Sequence, residues 1–368
     1  MTRVMLMSGG TGFLMFRLAK RFLEEGHRVI FLTRSSDQSP EERMRHQLGD
    51  FKRDQWRVVA GNITKPLWGV EKDDLERLKK EVTELWHGAA LVSFDSRKKE
   101  LAQATNVEGT RNALALAEYF GVPLHYISTA YIALENADRV AEEAPFCRGH
   151  LRNIYEETKC DAELLIHQWQ EEKKGSVVIY RPAILIGDSR TGEAQGFTGY
   201  YMPARFLNTL KNYQVIFFIP YVRHATLNII PVDWAVLLIA EISQHPEARG
   251  HIFHITHPQP PLLQFLFSHA FEYFHMKYVF LIPIPAFIFH FVVTLLGMAL
   301  SLLPFRWARK IEKQFMVYIP YFSGDPHFSQ ENSEHVLGHP IVFPPITKKI
   351  LDCCLDYAIS HNFGVAPS

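Results

Sequence analysis

Cysteine is scarce and net charge is absent in this chain. Four cysteines occur in 368 residues, Cys147, Cys160, Cys353 and Cys354, with no C-x-x-C spacing and no density suited to a disulfide framework. That excludes a small disulfide-stapled scaffold and points to a reducing compartment in which the thiols are bystanders. Lys and Arg number 39 against 39 Asp and Glu, so no whole-chain field favours nucleic acid as a partner. Internal repeats and low-complexity tracts are also missing. The first apolar run, Val4–Met7, is shorter than a secretory signal and has no small-residue cleavage site after it. The expected location is therefore the cytoplasm, extending to the cytoplasmic face of a membrane if a late apolar segment attaches there.

What is abundant is bulky apolar surface. Hydrophobic residues make up 47% of the chain and 27 residues are Phe, more than a polar metabolite needs, so a lipid-like ligand is suggested. The length suits two domains or one large α/β domain with insertions. Apolar runs at Val4–Met7, Val29–Thr33, Trp56–Ala60, Leu85–Ala90, Leu124–Ser128 and Val177–Ile186 read as buried strands. Between them Leu14–Glu25, Asp73–Glu81, Asn106–Phe120 and Glu156–Glu172 carry apolar residues at helical spacing. Alternating strands and helices predict an α/β fold, a Rossmann-type doubly wound parallel sheet, with a smaller, mostly helical C-terminal substrate region.

The first strand runs into Ser8-Gly9-Gly10-Thr11-Gly12-Phe13-Leu14-Met15 at the start of the first helix. Glycines there let the backbone approach a pyrophosphate, whose charge the helix N-terminus stabilises. Gly9 and Gly12 match a G-x-x-G-x-x-G spacing, and Met15 replaces the third glycine, a position that mainly serves helix–strand packing. After the second strand the acid expected for a ribose 2′-hydroxyl is missing, and Arg34 stands in Thr33-Arg34-Ser35-Ser36. A guanidinium pairs with a 2′-phosphate, so NADPH (NADP) is favoured over NAD.

Tyr155 and Lys159 lie four residues apart, on one face of a helix. A neighbouring ammonium stabilises phenolate and should lower the phenol pKa toward that of a working general acid. Ser128 and Thr129 end a strand with two hydroxyls that could polarise a carbonyl.

With these residues the chain resembles the extended short-chain dehydrogenase/reductases, and among them the fatty acyl-CoA reductase (male sterility) and thioester reductase group. The matching words are SGGTGFLM, GNIT, HGAALVSFD, NVEGTRN, ISTAYI, YEETK, RPAILIGDSRTGE and NIIPVDW, in family order over about two-thirds of the chain. The resemblance implies that Gly9, Gly12, Phe13 and Leu14 form the dinucleotide loop and that Arg34 meets the 2′-phosphate. Asn62, where the family usually has Asp, and Ile63 lie near adenine. Ala89 and Ala90 line the cofactor, and Pro182 and Ile184 flank the nicotinamide. Thr129 polarises the carbonyl with Ser128 beside it, Tyr155 is the acid, Lys159 tunes it and holds ribose, and Asn106 supports the network.

The implied activity is NADPH-dependent reduction of a long-chain acyl thioester, acyl-CoA or carrier-bound, or a related lipid carbonyl, to aldehyde or alcohol. Its partners would be the lipid-like acyl substrate with CoA or an acyl carrier protein. A ketone, 3-hydroxy lipid or steroid-like oxidoreductase would use the same residues, and a non-catalytic dinucleotide sensor or scaffold would keep the fold alone. Residues 1–187 and 228–256 are the expected NADP-binding domain, and 188–227 and 257–368 the substrate-binding region.

From Val279 to Pro304 no residue carries a formal charge, and Arg306, Arg309, Lys310 and Lys313 follow. Two readings stand: monotopic membrane contact through 279–313, apolar residues in the acyl layer and cations at headgroups, or a buried helix pair forming a dry acyl channel. His251, His254 and His257 suggest a metal, but strand alternation turns His251 and His254 to opposite faces, so they read as structural.

Overall fold

The computed structural model describes residues 2–34, 40–49, 51, 52, 54–132, 139–144, 151–211, 217–301 and 318–364. Seven parallel strands form the central sheet: β1 (Val4–Ser8), β2 (Arg28–Thr33), β3 (Trp56–Ala60), β4 (Glu84–His87), β5 (Leu124–Ile127), β6 (Val177–Pro182) and β7 (Ile252–Ile255). Their spatial order is β3-β2-β1-β4-β5-β6-β7. The order reverses between β1 and β4, which opens a ligand crevice at the carboxyl ends of the strands. Register aligns those ends: Ser8 lies opposite Leu32 and His87, His87 opposite Tyr126, and Ile127 opposite Tyr180. The loops carrying Gly9, Arg34, Gly88 and Ser128 therefore share one edge of the sheet.

Every residue of β1, β4, β5 and β6 is buried, as expected of parallel strands covered on both faces. One covering layer is built on helix Phe13–Glu24, whose Leu14, Leu18, Phe22 and Leu23 form a stripe, together with helix Val232–Ile242. The opposite layer uses helices Lys72–Glu81, Gly109–Phe120 and Ile154–Lys173. A third apolar cluster joins helices Tyr201–Leu210, Leu263–Tyr273 and Lys348–Ser360. Helix Ile154–Lys173 is fastened to β6 by a fully buried ion pair, Arg181 Nη2 to Glu163 Oε2 at 2.6 Å and Nε to Oε1 at 3.1 Å.

The element boundaries differ from expectation in three places. The fourth strand stops at His87, and the expected strand Val177–Ile186 breaks at Ala183. There the Ala183 amide still bonds β7, but Ile184 N donates to Asn228 O at 3.2 Å, and Ile184–Ile186 pairs with Ile229–Pro231. The helix expected from Asn106 opens with a π-helical turn, Gln103–Glu108.

The late apolar segment is a strand and a helix. Val279–Pro283 pairs with Phe217–Tyr221, and Ala286–Ser301 is helical. Phe289 and Val293 are buried in the third cluster, while Phe287 (86% exposed) and Phe291 (66%) face outward. A dry channel built from this segment is corrected: its outer face is exposed and none of its described residues borders the cavity below. Among the described residues no helix is long and apolar enough to cross a membrane. Residues 302–313, with the four cations, lie outside the described residues.

The chain then returns to the sheet side. His327–Phe328 pairs with Arg139–Val140, and Glu142 accepts hydrogen bonds from the backbone amides of His254 and Asn332, both at 2.6 Å. Buried His254 donates from Nδ1 to Ser329 O at 2.8 Å, and His257 Nε2 meets Pro344 O at 2.9 Å. Cys353 and Cys354 carry free thiols, whereas Cys160 is disulfide-bonded, which corrects the reading of four idle thiols.

Candidate active site

The turn after β1 is shaped by what cannot fit there. Gly9 has φ +75°, and a Cβ on it would lie 2.6 Å from Ala89 N. Side chains are thus excluded for both conformational and steric reasons. Gly12 N donates to Gly9 O at 2.8 Å and caps helix Phe13–Glu24, whose free amides face the crevice. Met15, in place of the third glycine, is buried against Gly88, where any Cβ would approach Met15 Cγ to 2.4 Å. The bulk lost from one partner of this helix–strand contact is thus supplied by the other. Behind the turn Ser8 Oγ and His87 Nδ1 are 2.7 Å apart, and burial pushes the imidazole down to about 3, keeping it neutral.

Arg34 is exposed at the end of β2, and Gly61, after β3, donates to Thr33 O at 2.9 Å. Asn62 follows at the same edge, but its Oδ1 is occupied by Thr64, at 3.1 Å from N and 3.0 Å from Oγ1. Ile63 O accepts from Asn112 Nδ2 at 2.9 Å. Asn62 therefore orders its own turn and has its amide NH2 left to offer.

Helix Ile154–Lys173 is capped by Asn153, whose Oδ1 accepts from Glu156 N at 3.0 Å. Tyr155 and Lys159, one turn apart, both border the same cavity. Lys159 Nζ donates to Tyr126 OH at 2.9 Å and to Ile127 O at 2.5 Å, and burial pushes its ammonium down to about 7. The expected lowering of the Tyr155 phenol is not found. Burial raises it above the usual tyrosine range, the Glu156 carboxylate adds to the effect, and the Lys159 ammonium is directed at β5. Ser128 and Thr129 end β5 beside these groups; the Ser128 hydroxyl is buried without a protein partner, and Thr129 Oγ1 accepts only a long bond from Tyr131 N at 3.4 Å. Asn106 is set back from the cavity. Its Nδ2 donates to Thr158 Oγ1 at 2.8 Å and its Oδ1 accepts from Leu91 N at 2.7 Å, tying helix Ile154–Lys173 to the loop after β4.

The cavity has a volume of about 740 Å³. It brings together Gly9, Gly12, Phe13, Leu14, Ala90, Ser128, Thr129, Tyr155, Lys159, Pro182 and Ile184. Arg34, Asn62, Ile63, Ala89 and Asn106 do not border it. Beyond Tyr155 it continues between Leu207, Leu266, Phe267 and Phe322, an apolar sleeve absent from the sequence reading. Two tyrosines also went unread. Tyr318 meets Phe94 edge-on at 5.6 Å, and Phe94 in turn meets Tyr155 at 6.5 Å. Tyr321 donates to Glu156 Oε1 and accepts from Asn153 Nδ2 at 2.9 Å, fastening the C-terminal region to the N-cap of helix Ile154–Lys173. The cluster Tyr-Ile-Pro-Tyr-Phe at 318–322 was the available signal, but nothing local said what it would cover.

The pattern of the family described as "Male sterility protein", an NAD-binding family, matches residues 7–239. The nonribosomal peptide synthetase asaC of Aspergillus flavus is 26% identical over 279 residues, 69% of this chain and 26% of that protein. The L-2-aminoadipate reductase of Schizosaccharomyces pombe is 26% identical over 227 residues, 57% of this chain and 15% of that protein. The chain thus spans about a quarter or less of the length of such curated relatives. Among solved structures, the terminal R domain of the myxalamid PKS-NRPS pathway superimposes with a TM-score of 0.78 at 25% identity, covering 100% of this chain and 93% of that one. The reductase (R) domain of a nonribosomal peptide synthetase from Mycobacterium tuberculosis shares the fold, with a TM-score of 0.70 at 17% identity over 98% of this chain and 92% of that one. The chain belongs to the male sterility protein family and, with it, to the NAD-binding oxidoreductases of the extended short-chain dehydrogenase/reductase type.

Proposed function

We propose that this chain is an NADPH-dependent reductase of an acyl thioester, presented on a carrier protein or on CoA, whose acyl group is long and apolar. The observation that carries this reading is the continuity of the cavity. One space joins the dinucleotide turn, the hydroxyls of Ser128, Thr129 and Tyr155, and the sleeve of Leu207, Leu266, Phe267 and Phe322. A relative similar to part of the chain is a reductase of L-2-aminoadipate, and a solved neighbour is a thiolation-reductase di-domain. Both agree with a substrate delivered as a thioester.

The residues present fit a dinucleotide, because Gly9 and Gly12 border the cavity and lead onto a helix N-terminus that no side chain caps. Gly9, Gly12, Phe13 and Leu14 would hold the pyrophosphate, Arg34 the 2′-phosphate, Asn62, Ile63 and Ala89 the adenosine side, and Ala90, Lys159, Pro182 and Ile184 the nicotinamide riboside. Bound NADPH supplies a hydride to the carbonyl carbon. Thr129 and Ser128 donate hydrogen bonds to the carbonyl oxygen as negative charge gathers on it, and Tyr155 OH donates the proton. Collapse of the resulting hemithioacetal expels the thiol and leaves an aldehyde, which a second round takes to the alcohol. Asn106 acts at a distance, holding Thr158 and Leu91. Residues 1–187 and 228–256 serve the cofactor, and 188–227 and 257–368 the acyl group.

Absorbance at 340 nm with palmitoyl-CoA or a palmitoyl-loaded carrier, read together with thiol release, tests the reading. Oxidation of NADPH with stoichiometric thiol supports it. Oxidation only with a long-chain 3-keto substrate moves the protein to ketone reduction, and NADPH binding without turnover on either makes it a sensor. Arg34→Ala is expected to weaken NADPH about 10–100-fold, the value of a charge-assisted contact, and to leave NADH unchanged. Equal loss for both cofactors would remove Arg34 from the 2′-phosphate.

The same substrate class supports contact with an anionic membrane surface. Phe280, Phe287 and Phe291 are exposed in an uncharged stretch that precedes four cations in the sequence, and Phe218 is exposed beside Phe280 on the paired strand. At 16 residues the helix is about 24 Å long, short of a hydrocarbon core of about 30 Å, so it would lie along the surface. Flotation with phosphatidylglycerol vesicles is expected for the wild type and lost in Phe287→Asp/Phe291→Asp; equal flotation of both would discard this surface.

A further inference from the structure

Lys159 is held from behind. Its Nζ lies 2.9 Å from Tyr126 OH, 4.3 Å from the centre of the Tyr126 ring and 2.5 Å from Ile127 O, all on β5. Tyr126 is 1% exposed and does not border the cavity, whereas Lys159 does. An ammonium has no lone pair, so in both contacts Lys159 donates and the Tyr126 and Ile127 oxygens accept.

We propose that Tyr126 is the positioning residue that keeps Lys159 charged and leaves its third N–H for the cofactor. An ammonium has three donors, and two are used on β5. The groups facing it are His87 from β4, Tyr126 from β5, and Tyr155 and Glu163 from its own helix. His87 is held neutral, the Tyr155 phenol stays protonated, and Glu163 is shared with buried Arg181. Burial favours the neutral amine and Glu163 opposes it. The hydroxyl that accepts from the ammonium adds to the side of the charge.

The inference rests on Lys159 meeting NADPH, and cofactor titration tests it without requiring turnover. NADPH affinity is measured from pH 6 to 10 by nicotinamide fluorescence for the wild type, Tyr126→Phe and Tyr126→Leu. The wild type is expected to lose affinity on the alkaline side as Lys159 gives up its proton. In Tyr126→Phe that limb should move to lower pH by about one unit, the worth of a hydrogen bond to a charged group. Tyr126→Leu, which also removes the ring that faces the ammonium, should move it at least as far. An unmoved limb with uniformly weaker binding in both variants would overturn the proposal. If NADPH binds and the limbs move as described but no acyl thioester is reduced, the functional reading fails and the positioning role stands.

Discussion

Tyr155→Phe is expected to lower turnover about 10²–10⁴-fold, the range for loss of a positioned general acid, with NADPH binding nearly unchanged. Phenylalanine keeps the ring that packs on Phe94 at 6.5 Å and removes only the proton donor. Burial and the Glu156 carboxylate hold the phenol above its ordinary range, so the acid is fully protonated at neutral pH. The sign follows: any alkaline loss of activity near neutrality belongs to Lys159, whose pKa is pushed down to about 7, and not to Tyr155. Thr129→Val should cost about 10²–10³-fold, the loss seen when one oxyanion donor is removed. Steady-state kinetics and a cofactor titration on the same preparations decide the matter. A Tyr155→Phe enzyme turning over within a few-fold of wild type would remove Tyr155 from the chemistry.

The largest expected effect on stability is at Glu163. Glu163→Ala leaves the fully buried Arg181 guanidinium without its ion-pair partner, a change that costs about 3–5 kcal/mol. Arg181 would retain Glu143 O at 2.9 Å, a 3.5 Å contact with His254 Nε2 and the longer-range attraction of Glu142. Thermal unfolding should show a drop in Tm of roughly 4–6 °C for a chain of this size. Glu163→Ala combined with Arg181→Met should recover much of it, because a buried pair replaced by apolar groups of similar volume is often neutral. A single variant as stable as wild type would mean that water reaches Arg181. The same substitution removes the carboxylate that favours charge on Lys159, so NADPH affinity should fall alongside Tm.

The fold was legible because its signals are local and periodic. β1, β2, β3 and β5 lie within a residue or so of the apolar runs, and the helix after the dinucleotide turn begins where Gly12 ends the loop. Tyr155 and Lys159 sit on one helical face by spacing alone, and both reach the cavity. Met15, an unexplained departure when only its own motif is read, is matched by Gly88, a residue more than seventy positions away. Sequence spacing does not show such exchanges of volume between facing elements.

By itself the sequence determined the alternation of strands and helices, the glycine turn, and which side chains could donate a proton or meet a phosphate. These depend on backbone sterics, on periodicity and on chemical type, all carried within a few consecutive residues. Only the tertiary structure decided that Lys159 turns to Tyr126, that the Tyr155 phenol is raised and not lowered, and that Tyr321 secures Glu156. It alone decided that the described side chains of 279–301 border no part of the cavity and that Phe287 and Phe291 face outward. Burial, and the partner each polar atom finds, are set by contacts between residues far apart in the chain, and those contacts exist only once the sheet has brought them to one edge.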